Sequence, residues 1–176
     1  AWYLGSPLFI RTSLHEPAPI VAAATAMPSS SPEPAATTVT TATATPTEVS
    51  APTPYPAPTP TPAPTLAAPR SGTFTGADEF HFGRGTATLI ETAPGAWTVR
   101  FEGFSVRNGP DLYVYVSPEA TGYAEAAIEL GRLKATDGAF NMDLPAGSIP
   151  IDAASVVIWC KQFAVQFAVA PLAAEG

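Results

Sequence analysis

Proline decides where this chain can fold and where it cannot. Of its 21 prolines, 15 lie before Ser71 and six after it. From Pro17 to Pro69 the composition is nearly all Ala, Thr, Pro and Ser, and between Ala51 and Pro64 proline takes almost every second position. Each proline fixes φ and lacks an N–H donor, so neither helix nor sheet can form there. Polyproline II is the local state expected, rising about 3.1 Å per residue, so that some fifty residues make a spacer on the order of 100 Å. Ser and Thr mixed with Pro is also the composition of an O-glycosylated stalk. A peptide ligand for SH3- or WW-like domains is the competing reading. The many threonines and the lack of a basic flank favour the stalk.

The chain opens, without a methionine, on the apolar run Ala1–Ile10, which carries Trp2 and Tyr3 and is followed by Arg11. Ten residues are too few to span a bilayer. Trp and Tyr, however, collect at membrane–water interfaces. Residues 1–16 are therefore read as the juxtamembrane end of an N-terminal membrane anchor, 17–70 as the linker and 71–173 as the folded domain. The alternative is an apolar N-terminus that packs on the domain.

After Ser71 the pattern changes to short runs with a period of two. Ala87 and Leu89 alternate with Thr86, Thr88 and Ile90; Trp97, Val99 and Phe101 alternate with Thr98, Arg100 and Glu102. Leu112, Val114 and Val116 alternate with Tyr113, Tyr115 and Ser117, and Phe140, Met142 and Leu144 with Asn141 and Asp143. One apolar and one more polar face is the half-buried strand pattern. Pro94-Gly95, Asn108-Gly109-Pro110 and Asp137-Gly138 punctuate the runs as turn signals. The expected fold is all-β, an antiparallel sandwich or barrel of about seven to nine strands. Only Glu119–Leu133 has any helical character, for one or two turns at most, and Ile128–Lys134 within it reads better as a strand.

The last two runs, Ser155–Cys160 and Phe163–Ala168, form a hairpin around Lys161-Gln162 that holds the chain's one cysteine. With no second cysteine there is no internal disulfide. Cys160 is then a buried structural thiol, a redox or ligand-binding thiol whose thiolate Lys161 would favour, or a link to another chain. Trp159 points to the opposite face, either as ordinary core or as an aromatic shielding a cofactor. His81 is a candidate axial haem ligand, or simply a strand residue packed between Phe80 and Phe82. Asn108–Asp111 has too few oxygens for calcium and reads as a turn. His15 lies in the stalk reading, so a zinc site has too few ligands. The phosphate loop, Cys-x-x-Cys, His-Glu-x-x-His and Gly-x-Ser-x-Gly motifs are all missing. From Ser71 onward six basic residues face twelve acidic ones, a net charge of −6 with no basic run, which excludes nucleic acid as a partner.

A family resemblance rests on a collinear set of motifs. These are His81 ahead of Gly85–Leu89, Phe104 with Asn108–Tyr115, Leu130–Lys134 with Leu144-Pro145, and Val156–Phe163 closing on Phe167 and Ala170. Together they resemble the DM-thirteen domain, the electron-transfer module of Skeletor-type proteins that also occurs beside DOMON domains. The resemblance covers about Ser71 to Leu172 and implies an all-β fold with one characteristic cysteine. It further implies a redox or electron-transfer role outside the cytoplasm, on a layout of anchor, linker and single domain. The expectation is an extracytoplasmic, cell-surface domain with Cys160 as its redox thiol, rather than a conventional enzyme. No cofactor is evident, with haem or a metal as the minor alternatives. Two other classes stay open, an adhesion or ligand-binding module for envelope protein or glycan, and a structural subunit of an envelope assembly.

Overall fold

The computed structural model describes residues 11–22 and 65–174. The polyproline expectation for Ala51–Pro64 and the apolar run before Arg11 lie outside the described residues. Within them the chain forms eleven strands and no helix. In chain order these are β1 (Ser13–His15), β2 (Arg70–Thr73), β3 (Thr75–Gly76), β4 (Gly83–Ala93), β5 (Ala96–Val106) and β6 (Leu112–Ser117). They continue with β7 (Ile128–Arg132), β8 (Asp137–Asp143), β9 (Ser155–Cys160), β10 (Val165–Pro171) and β11 (Ala173–Ala174). One sheet has the order β1-β8-β5-β4-β2-β11 and the other β3-β10-β9-β6-β7. All pairings are antiparallel except β1 with β8, so the expected β-sandwich is what forms.

Period two places the core. Ala87 and Leu89 of β4, Val99 and Phe101 of β5, and Phe140 of β8 are fully buried from the six-stranded sheet. Val114 of β6 and Val156 and Ile158 of β9 meet them from the other sheet, also fully buried. Four phenylalanine rings knit the six-stranded side. Phe101 stacks on Phe140 at 4.7 Å and on Phe74 at 5.8 Å, while Phe104 meets Phe101 edge-on at 5.1 Å. Phe104 faces inward only because β5 is bulged between Phe101 and Phe104 against β8. One extra residue there resets the alternation. Pro94-Gly95 is the tight β4–β5 turn, with Gly95 at φ +74°. The short helix allowed within Glu119–Leu133 does not form. Residues 118–127 cross the outside of the five-stranded sheet as irregular chain before β7 begins.

Residues 13–15 form the edge strand of the six-stranded sheet. Ser13, Leu14 and His15 pair in parallel with Asp137, Gly138 and Ala139. His15 is therefore a strand residue, and Asp137-Gly138, read from sequence as a turn, is instead the start of β8. The glycine is needed because Gly138 sits at φ +119°, where a Cβ would collide with the Leu14 carbonyl. Arg11 forks onto Asp137, and Glu16 accepts the Asn141 N–H at 2.8 Å.

Those contacts tie stability to pH. The Asn141 N–H, then Lys134, holds the Glu16 carboxyl below its ordinary range, and the Arg11 guanidinium does the same for Asp137. A carboxyl with a lowered folded pKa adds stability above its unfolded value, and that stability is lost as pH falls through the folded one. Thermal unfolding followed from neutral pH into acid should show the midpoint falling. The Glu16→Gln/Asp137→Asn variant should be less stable at neutral pH and show a flatter acid limb. Superimposable pH profiles would remove these two groups from the account.

Candidate functional site

Strand β9 lies between β6 and β10, so its side chains are set by strict alternation between two covered faces. Val156, Ile158 and Cys160 turn into the sandwich core, and Val157 and Trp159 turn outward. Cys160 is free and has no exposed surface. It stands opposite Leu112 on β6 and Val165 on β10. The lysine that follows it does not serve the thiol. The Lys161 ammonium is 2.7 Å from the Glu129 carboxylate and 3.8 Å from the centre of the Tyr113 ring, both on the outer face.

Immediately beyond Cys160 the backbone departs from regular geometry twice. Ala164, in the Lys161–Ala164 turn, has φ +50°, and it is the non-glycine residue in the left-handed region among the described residues. That region costs an L-residue roughly 1–2 kcal/mol. The β9–β10 ladder then slips between Gln166 and Ala168, leaving Phe167 in a bulge and turned inward, 4% exposed. The thiol thus sits at the sealed end of a hairpin whose turn is strained and whose partner strand is bulged.

Outside the same sheet, Trp159 stacks on Tyr123 at 4.5 Å with 21° between the planes, and Tyr123 meets Tyr115 edge-on at 5.1 Å. Gln166 pins the loop that carries Tyr123. Its Oε1 accepts the Tyr123 N–H at 3.2 Å and its Nε2 donates to the Thr121 carbonyl at 3.3 Å. The Tyr115 hydroxyl donates to Glu129 at 2.9 Å. Burial first, and that bond second, push its phenol up to about 12. Trp159 is thus neither core nor free surface but the floor of an aromatic cluster under a loop.

His81 belongs to a third place, the loop from β3 to β4. Asp78 Oδ1 accepts the N–H groups of Phe80 at 2.8 Å and His81 at 2.6 Å, and Asp78 Oδ2 lies 2.7 Å from His81 Nδ1. These bonds, led by the one from the imidazole, hold the Asp78 carboxyl below its ordinary value. A carboxylate on Nδ1 fixes the ring and leaves Nε2 as the available lone pair, the arrangement of an oriented base or a single metal ligand. The ring packs edge-on to Phe167 at 4.5 Å and to Phe80 at 5.1 Å. Gly109 in the Asn108–Pro110 turn leaves room for Phe167, whose ring would lie 2.9 Å from a Cβ there.

The three sequence candidates are therefore not one constellation. Phe167 is the physical link between the Cys160 hairpin and His81, and no hydrogen bond joins imidazole to thiol among the described residues. Trp159 lies across the sheet from the thiol. The Asp111 carboxylate is taken by Arg132, in keeping with a turn. No group of three or more His, Cys, Asp and Glu gathers among the described residues. Sequence reasoning passed over Asp78, Tyr123 and Ala164. Asp78 was legible from its i, i+3 spacing to His81, whereas Tyr123 reaches Trp159 only through the fold.

A sealed apolar setting orders the substitutions at Cys160. Serine buries a hydroxyl without a partner, which costs about 1–3 kcal/mol. Alanine leaves only a small void. Urea denaturation should rank Cys160→Ser as clearly less stable than Cys160→Ala. The opposite ranking would mean that the thiol meets water or a polar partner.

No curated protein and no solved structure matches the chain. The sequence profile of the family described as electron transfer DM13 matches residues 73–172, which begin in β2 and contain β3 through β10. On that match the chain belongs to the DM13 family.

Proposed function

We propose that this is a redox domain of the cell exterior in which Cys160 is a gated thiol, reactive only while the β9–β10 hairpin is open. The observation that carries the reading is the position of the one cysteine. It is fully buried at the end of β9, directly before the strained Ala164 turn and the bulge at Phe167. Backbone strain of this kind clusters at functional sites. Membership in a family described by electron transfer supports a redox role at the coarser level. The Pro/Thr-rich linker and the apolar, aromatic N-terminal run support placement outside the cytoplasm, beside a membrane anchor.

A single cysteine works through a mixed disulfide. In the open hairpin Cys160 loses its proton to solvent, and its thiolate attacks a disulfide R–S–S–R of a partner. One new S–S bond forms, the old one breaks, and R–S⁻ leaves. A dithiol of a second partner then attacks the R sulfur of the Cys160–S–S–R bond, which frees the Cys160 thiolate, and its other thiol displaces the remaining R–S⁻ as the dithiol closes to its own disulfide. The two electrons pass between partner molecules, and closure of the hairpin between turnovers protects the thiol from overoxidation.

Reaction of the native full-length chain with a chromogenic aromatic disulfide tests this. One equivalent of thiolate should be released, far more slowly than from the urea-unfolded chain. Ala164→Gly relaxes the turn by about 1 kcal/mol and should slow the native reaction roughly fivefold. A native thiol that never reacts short of global unfolding ends the gated-thiol reading.

A second reading is favoured by the outer face of the five-stranded sheet. Half-exposed Trp159 and Tyr113 and the more exposed Tyr123 are flanked there by Lys161, Glu129 and Gln166. Aromatic faces with polar neighbours suit a glycan or an envelope protein. Binding to cell-wall glycan that survives Cys160→Ala and is lost in Trp159→Ala selects this reading over redox.

A further inference from the structure

The N-terminal strand lies outside the residues that the family profile covers, yet it completes the edge of the six-stranded sheet. Its docking is specific to its side chains. Arg11 Nε donates to Asp137 Oδ2 at 2.8 Å, its Nη2 to Asp137 Oδ1 at 2.5 Å and to Ser105 Oγ at 2.9 Å. Leu14 packs against the core. Glu16 takes the Asn141 N–H at 2.8 Å and stands 3.3 Å from Lys134 Nζ. The receiving side is shaped for a strand. Gly138 admits the Leu14 carbonyl where any Cβ would collide with it. Arg100, only 8% exposed, donates from Nη1 to the carbonyls of Glu16 at 2.8 Å and Pro17 at 3.1 Å. A buried guanidinium is costly to leave without acceptors. Asn141 Oδ1 at 3.2 Å and Glu102 Oε1 at 3.4 Å are its other acceptors, and the incoming backbone supplies the shorter bonds.

We infer that the β8 edge is a strand-binding site that reads an extended segment with Arg first, an apolar residue fourth and a carboxylate sixth. A second copy of this chain fills it in trans by exchanging Arg11–Pro17. Strand addition of this kind takes affinity from main-chain bonds and selectivity from alternate side chains. Only three residue pairs form the ladder, and β1 is exposed on both sides of Leu14. The cost of ordering so short a segment is of the same order as its hydrogen-bond gain, so it opens well before the domain unfolds. About forty residues join Ala22 to Thr65, so each strand is tethered to its own edge and a second copy competes with it only at sufficient concentration. A dilute chain closes on itself. Chains held at sufficient density exchange.

Complementary full-length variants isolate the trans contact. Gly138→Val closes the edge and keeps the strand; Arg11→Glu with Leu14→Asp disables the strand and keeps the edge. Each should sediment as a monomer alone and the mixture as a one-to-one dimer. A labelled synthetic peptide of residues 11–17 should bind the strand-disabled chain at least tenfold more tightly than the wild type, whose edge is filled. A folded strand-disabled chain that binds neither the other variant nor the peptide overturns the inference. Hydrogen exchange on the wild-type chain is independent of whether the variants fold. The amides of Glu16, Thr136 and Asp137 should be at least a hundredfold less protected than those of β4 and β5. Equal protection would show that the strand leaves only on global unfolding, which also overturns it.

Discussion

The packing of Phe74, Phe101, Phe104 and Phe140 against the valines and Ile158 of the facing sheet is what the rest of the molecule depends on. The four rings are at most 3% exposed and touch in stacked and edge-on pairs, so they form one rigid block instead of four independent contacts. Because the block fills the space between the sheets, each strand that faces it must keep its alternation in register. A slip of one residue would exchange every inward side chain for an outward one. The bulge in β5 serves the same rule, since it brings Phe104 back to the block after Phe101.

That register decides the chemistry open to the thiol. β9 is confined on both faces, by the core on one side and by Tyr123 and its loop on the other. Cys160 has no shallow position to adopt, because its side chain lies within the core with no exposed surface. Small shifts of a side chain rotamer cannot expose it. Lys161 cannot lower the cost either, because the Glu129 carboxylate and the Tyr113 ring hold its charge on the other side of the sheet. The physical variable that matters for a redox role is therefore the free energy of releasing a turn already strained at Ala164.

What could be read from sequence follows the same division. Strands β4 to β10 were legible because their period-two alternation reports the aromatic block directly. The inward placement of Cys160 and the outward placement of Trp159 came from the same parity. β2, β3 and β11 are two to four residues long and hold no buried residue, so backbone pairing defines them and composition says little. Asp137-Gly138 misled because Gly was taken as a sign of a turn, when here it answers the close approach of another strand. The Tyr123–Trp159 stack and the Phe167–His81 contact join residues distant in sequence, and no local pattern carries them.

The N-terminal segment changes how the proline-rich stretch should be understood. As a stalk, it would set the distance between the domain and whatever precedes Arg11. With β1 paired to β8, the chain entering at Arg11 is already fastened to the domain, and the residues between Ala22 and Thr65 begin and end on it. The stretch then adds no reach; it closes a loop. It becomes a spacer only when the Arg11 fork, the Leu14 contact and the Glu16 bonds let go together. Under the strand-exchange proposal the same few contacts at the sheet edge decide both whether this stretch is a loop or a spacer and whether the edge is free for another strand.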